Sequence, residues 1–325
     1  MKNRPFKQID VFTATPYYGN PVAVVLDGSG LNDNDMQRFA QWTNLSETTF
    51  VLPPSAAATS AGADYQVRIF TPGGELPFAG HPTLGTCHAW LEAGGTPRAS
   101  SAEGGPAQAS QFIIQECKVG LIKIRRDGER LAFAAPALRR SAPSPSLLAQ
   151  VAGALGLKAH QIIAAQRLDN GPVWLGLLLD SAQTVLQINP NHAELKNLGQ
   201  KVGVVHVEHK QLATKLIVRS NREARAFGGS SGATSTASAP EADACHVEVR
   251  AFAAPVGINE DPVTGSLNAS LAQWLIAEGH APAHYVASQG TCLGRAGQVA
   301  IEQDAAGQVW VGGDCVTCVD GRVSL

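Results

Sequence analysis

The strongest constraint on the fold is an echo between two distant parts of the chain. VRIFTPGGELPFAGHPTLGTCHAWLEAG starts at Val67, and VRAFAAPVGINEDPVTGSLNASLAQWLIAEG starts at Val249. Each runs from a VR-x-F strand through a glycine-containing connection to a proline, then into an amphipathic helix stopping at Gly94 or Gly279. The first helix sets Leu84, Cys87, His88 and Leu91 on one face; the second sets Leu267, Leu271, Trp274 and Leu275. Pro82 to Gly94 is 12 residues and Pro262 to Gly279 is 17, which predicts a second helix about one turn longer. An offset of roughly 180 residues is no solenoid period. It predicts two similar halves related by a pseudo-twofold axis, each a set of strands wrapped on a central helix.

The rest of the chain supports an α+β reading. Strands are expected at 8–12, 21–26, 48–52, 65–70, 111–116, 119–125 and 130–134, from β-branched and alternating patterns between turn residues. Helices are expected at 33–43, with Asn32 as N-cap, and at 147–156, ending on Gly156. A length of 325 residues suits two domains. The proline-flanked stretch 134–146 places their boundary, giving 1–136 and 137–325, with the last C-terminal residues as candidates to join the first half. Segments 95–110 and 228–244 are Gly/Ser/Ala-rich and read as exposed loop insertions.

Composition removes several function classes. Charged residues make up 16% and the net charge is −2, so there is no basic field to hold nucleic acid or an anionic membrane. No apolar run approaches the ~20 residues of a membrane span, and the N-terminus carries no export-signal pattern. The six cysteines are scattered, which fits reduced thiols in a cytoplasm. Cys315 and Cys318 form a lone CxxC without a second pair, and His206 and His209 do not have the HExxH spacing, so neither predicts a metal site. His88 reads as a core residue on its helix face, and Arg295 as either a substrate contact or a turn residue. No Walker or Rossmann fingerprint occurs.

The two helix entrances carry the chemistry. Helix starts present unpaired N–H groups and the positive end of the dipole, so they bind carboxylates and phosphates. Here they read AGHPT and EDPVTGS, with Gly80, Gly85 and Gly265 allowing close approach and a proline near each first turn. Alone, His81 and Gly80 would read as an ordinary helix entry. Paired with a second entrance bearing an acid and hydroxyls, they predict a cleft between the halves that holds a small anionic substrate.

Four ordered motifs, YGNPVAVV (18–25), NLSETTFV (44–51), FAGHPTLG (78–85) and EDPVTGSLN (260–268), resemble the PhzF-like isomerases of phenazine biosynthesis. The resemblance runs from Val11 to the terminal strands. It implies the diaminopimelate-epimerase-like fold, in which each domain is a strongly curved, mostly antiparallel sheet or barrel around a central helix. It also implies a homodimer and acid–base catalysis without metal or cofactor on a dihydro-hydroxyanthranilate-like acid. Glu47 matches the general acid/base that moves a proton between carbons, with His81, Asp261 and Ser266 as assisting groups. Asn20, Gly80, Pro82, Thr264 and Gly265 match substrate-contact positions. Related epimerases use two facing cysteines, whereas neither entrance here has one and Cys87 lies a turn into its helix. The rival readings are a non-catalytic small-molecule binder or interaction protein keeping the fold, and an epimerase-type enzyme on another carboxylate.

Overall fold

A computed structural model describes residues 1–98, 112–208 and 246–325. Most of the insertion 95–110, all of 228–244, and His209 lie outside the described residues. The first half comprises β1 (Asn3–Val11), β2 (Asn20–Val25), α1 (Asp33–Thr43), β3 (Glu47–Leu52), α2 (Ala56–Ser60), β4 (Tyr65–Thr71) and β5 (Gly74–Leu76). It continues through α3 (Gly80–Glu92), β6 (Phe112–Cys117), β7 (Gly120–Asp127) and β8 (Arg130–Ala134). A crossing segment holds β9 (Arg139–Ser141) and α4 (Pro145–Leu155).

The second half opens with β10 (Ile162–Asp169), β11 (Val173–Leu179), α5 (Ala182–Gln187), α6 (His192–Leu198) and β12 (Val202–Glu208). There follow β13 (His246–Ala253), β14 (Ile258–Asp261), α7 (Gly265–Ala277), β15 (His284–Gln289), β16 (Gly297–Gln303), β17 (Val309–Gly313) and β18 (Cys315–Ser324). The strands form one strongly curved sheet, mostly antiparallel.

Strand pairing repeats step for step. In the first half β1–β2 is antiparallel, β2–β3 parallel, β3–β4 and β4–β5 antiparallel, and β4–β6 parallel. In the second half β10–β11, β11–β12, β12–β13, β13–β14 and β13–β15 follow the same order of senses. The halves join where β8 pairs antiparallel with β17. Each also lends a strand to the other: β9 pairs with β10, and β18 runs along the whole of β1.

The VR-x-F echo has a physical counterpart. Arg68 grips Glu75 on β5 with two N–H groups at 2.9 and 2.7 Å, and Arg250 grips Glu260 on β14 at 2.8 Å with both. Each guanidinium also stands 5.0 Å from the ring of the phenylalanine two residues on, Phe70 or Phe252. One arginine thus fastens the short strand that leads to each helix entrance.

Two expectations about the central helices need correction. Both are 13 residues long, so α7 is not a turn longer. Pro82 is the third residue of α3, whereas Pro262 stands in the turn before α7, so the two prolines are not equivalent and the extra residues belong to that turn. Nor are the helices amphipathic. In α3 the run Gly80–Cys87 is buried on every side, because β1, β2, β3, β4, β8 and β18 all pack around it. Both do end ahead of a left-handed glycine, Gly94 at φ 90° and Gly279 at φ 72°. One apolar core runs through both halves, from Ile9 and Val11 to Leu271 and Trp274. Among the described residues no helix is long and apolar enough to cross a membrane.

Candidate active site

The site assembles from strand ends and helix starts. Asn20 opens β2 and Glu47 opens β3; His81 is the second residue of α3, Ser266 the second of α7, and Asp261 the last of β14. The helix entrances abut: a methyl on Gly265 would stand 3.3 Å from both Gly80 Cα and the His81 amide nitrogen. A methyl on Gly80 would come within 2.7 Å of Phe133 Cζ. Backbones meet this closely only without side chains, which accounts for a glycine at each entrance. No side chain caps either helix.

Beside this seam lies a cavity of about 640 Å³. Glu47, Asp261, Thr264 and Ser266 line it, together with Phe78 and Ala79 ahead of α3. His81 and Asn20 stand behind that wall, both buried. The Asn20 amide donates to Asp261 Oδ1 at 2.9 Å and to the Val263 carbonyl at 2.8 Å, and lies 3.5 Å from His81 Nδ1. Thr264 Oγ1 donates to Asp261 Oδ2 at 2.6 Å. His81 Nε2 and Glu47 Oε2 are 3.5 Å apart, and neither atom has a hydrogen-bond partner. Gly80, Gly265 and Pro82 belong to the buried helix entrances rather than to the cavity wall.

Residues 9–321 match the family described as phenazine biosynthesis-like protein, PhzC-PhzF. The chain belongs to this family. It is 33% identical over 337 residues to Antisense-enhancing sequence 1 of Schizosaccharomyces pombe, covering 99% of both chains. It is 29% identical over 327 residues to the trans-2,3-dihydro-3-hydroxyanthranilate isomerase of Pseudomonas aeruginosa, covering 98% of each. The crystal structure of a PhzF-family protein from Bacillus anthracis superposes over the full length of both chains, with a TM-score of 0.73 at 22% identity. The protein is an isomerase of PhzF-like type.

Burial dominates the electrostatics of this PhzF-like site. It raises the Glu47 carboxyl to about 7, against a smaller downward pull from the Ser46 hydroxyl. Burial, followed by the neighbouring charge of Glu47, raises Asp261 to about 6, while its bonds from Thr264 and Asn20 hold it back. Burial lowers His81 to about 4, so its imidazole is neutral at pH 7 and its contact with Glu47 is not an ion pair. Asp261, accepting two hydrogen bonds, ionises ahead of Glu47, whose facing oxygen accepts none. Of the two acids, Glu47 is therefore the one that keeps its proton to the higher pH.

Other residues singled out in the sequence lie elsewhere. His88 is partly exposed, 3.4 Å from Glu92 and 3.3 Å from Thr317, rather than in the core. Arg295 donates to the carbonyls of Tyr17 and Gly19, which makes it a tie between the halves rather than part of the cavity wall. Burial pushes the Cys87 thiol up to about 12, which removes it as an acid–base group near pH 7. Among the described residues no cluster of three His, Cys, Asp or Glu is placed to hold a metal ion.

Three residues of the site carried no sequence signal. Gln289, at the end of β15, donates to the Asp261 carbonyl and to Thr264 Oγ1, both at 3.0 Å. Its Oε1 accepts from the Thr264 amide at 3.1 Å and from Asn268 at 2.8 Å, so one amide clamps the EDPVTG turn. Trp174 Nε1 donates to Ser266 Oγ at 3.3 Å. Lys201 completes that wall. A polar residue at a strand end is so common that only the turn it clamps distinguishes Gln289, and that turn is remote in sequence.

Proposed function

We propose that this isomerase moves a proton between carbons of a small unsaturated hydroxy- or amino-carboxylic acid, similar to dihydro-hydroxyanthranilate, with Glu47 as the acid/base. One observation carries the reading. Glu47 Oε2 and His81 Nε2 face each other at 3.5 Å, buried and without hydrogen-bond partners, beside two abutting helix starts that no side chain caps. A substrate carboxylate at those starts would meet free N–H groups and two converging dipoles, which also favour the charge that develops as a carbon loses its proton. The Glu47 carboxylate takes that proton and, now an acid, returns it to another carbon of the same molecule. No electron is gained or lost. Asp261, fixed by Asn20 and Thr264, and neutral His81 orient the reacting system.

The named activity of the Pseudomonas aeruginosa relative favours this substrate class. Family resemblance adds a homodimer, which sedimentation of the purified chain would read, and the scattered cysteines favour a cytoplasmic location. The decisive test is solvent deuterium incorporation into trans-2,3-dihydro-3-hydroxyanthranilate and related enolisable acids. Glu47→Gln should bind these acids but exchange about 10²–10⁴-fold more slowly. Near-wild-type exchange by the variant would remove Glu47 from the role. Absence of exchange by the wild-type chain, with binding intact, would leave a non-catalytic binder.

A further inference from the structure

The cavity wall also holds a cation that the proposed proton transfer does not use. Lys201 follows the left-handed cap Gly199 of α6 and immediately precedes β12, and its carbonyl accepts from the Leu175 amide at 2.9 Å. Its ammonium lies 4.9 Å from the ring of buried Trp174, whose indole N–H donates to Ser266 Oγ at 3.3 Å. Lys201, Trp174 and Ser266 all line the same cavity as Glu47 and Asp261. Two contacts thus connect the cation to the start of α7.

Among the described residues no acid is paired with this charge. Burial alone acts on the Lys201 ammonium, disfavouring its charged form. The other acids around the cavity are committed elsewhere. Glu75 is gripped by Arg68 and by Lys118 at 2.6 Å, Asp261 is held by Asn20 and Thr264, and Glu47 is kept near its acid form by burial. A half-buried ammonium in a ligand cavity, with an aromatic ring on one side and no carboxylate paired with it among the described residues, lacks the counter-charge such a group ordinarily has. The ligand can supply one.

We propose that Lys201 binds a second anionic group of the substrate, which narrows the proposed class to small unsaturated diacids rather than monoacids such as dihydro-hydroxyanthranilate itself. One carboxylate lies at the two helix starts and the other against Lys201, on the Trp174 side of the cavity. This rests on the reading of the helix starts as the first anion site. Trp174 serves both ends, since its ring faces the ammonium and its N–H orients the Ser266 hydroxyl.

The test separates binding from turnover. Glutarate and its monoamide, glutaramate, differ by one charge and cannot undergo the allylic shift. Calorimetric titration of the wild-type chain should show glutarate binding roughly 10- to 100-fold more tightly, as expected for a charge-assisted contact. Lys201→Met should abolish that preference while leaving glutaramate affinity unchanged, and Lys201→Arg should retain most of it. Equal affinities in the wild type, or equal weakening of both ligands in Lys201→Met, would overturn the proposal. Deuterium incorporation into glutaconate, whose proton shift from C4 to C2 regenerates the same skeleton, then reads the chemistry. In Lys201→Met the loss should lie in KM rather than kcat. A glutarate preference that depends on Lys201, without glutaconate exchange, would retain the second anion site and count against the proton-transfer reading.

Discussion

The buried carboxyl of Glu47 should leave a thermodynamic trace independent of any substrate. Its side chain is only 13% exposed, and burial raises its pKa from 4.5 to about 7. Each unit is worth 1.36 kcal/mol, so ionising Glu47 in the folded state costs on the order of 3 kcal/mol relative to the unfolded chain. The sign follows from proton binding. Between pH 4.5 and 7 the folded state holds the Glu47 proton while the unfolded chain has released it, so stability falls as pH rises through this window. Glu47→Gln cannot ionise and escapes that loss. It also removes the charge that helps raise Asp261, which works in the same direction. The difference in unfolding free energy, variant minus wild type, should therefore grow by about 2–3 kcal/mol from pH 4.5 to pH 8. Any pH-independent cost of burying the amide cancels in that comparison. Urea unfolding of both proteins at the two pH values measures it. Parallel stability curves would mean that the carboxyl is not held in a desolvating site, and would remove the physical reason for assigning it the proton.

The catalytic pH profile should show the same group: the proposed mechanism requires the Glu47 carboxylate, so the deuterium-exchange rate should drop as pH falls below about 7, and a flat profile from pH 5 to 8 would contradict this. Gly80→Ala places a methyl 2.7 Å from Phe133 Cζ and should destabilise by about 1–3 kcal/mol, with Phe133→Leu in the same chain restoring part of the melting temperature. Arg250→Met strands the Glu260 carboxylate, 9% exposed, and frees the Val185 and Ile188 carbonyls that the guanidinium also binds. A loss of about 3–5 kcal/mol is expected by chemical denaturation, and a second change, Glu260→Gln, should recover part of it.

Local chemistry was legible where a residue breaks the ordinary rules for its element. Gly80, His81 and Pro82 at a helix start, and Asp261 with Thr264, Gly265 and Ser266 at the other, stand out because a plain helix needs neither the glycine nor the imidazole. The strands of the first half were legible from their β-branched runs, mostly to within a residue or two, but β1 starts earlier, at Asn3, and the three-residue β5 was not expected. Helix length was not legible, because the distance between a proline and a glycine does not say on which side of the helix start the proline lies. Nor was the burial of the helices. Their apolar faces looked one-sided in the sequence, but small residues such as Thr83, Gly85 and Thr86 let strands close over the remaining side of α3. Gln289, Trp174 and Lys201 were invisible for a third reason: what gives them a role is where β15, β11 and β12 end in space.

The oddities at the site account for one another. Neither Ala79 nor Thr264, whose hydroxyl donates to Asp261 instead, caps its helix, which leaves the first N–H groups to the proposed anion. Without caps, the two starts approach until Gly80 and Gly265 touch, next to the His81–Glu47 pair. Burial of the Glu47 carboxyl raises its pKa, which suits the proposed proton exchange near neutral pH. Each step weakens the fold locally, through lost caps, close-packed backbones and a desolvated acid. The apolar core shared by the two halves, and the strand each lends the other, supply the compensating stability. A half-domain alone would have the glycine and the uncapped helix but no partner to bury them against. The duplicated architecture thus suits the proposed chemistry, because the two entrances meet beside the cavity that Glu47 lines.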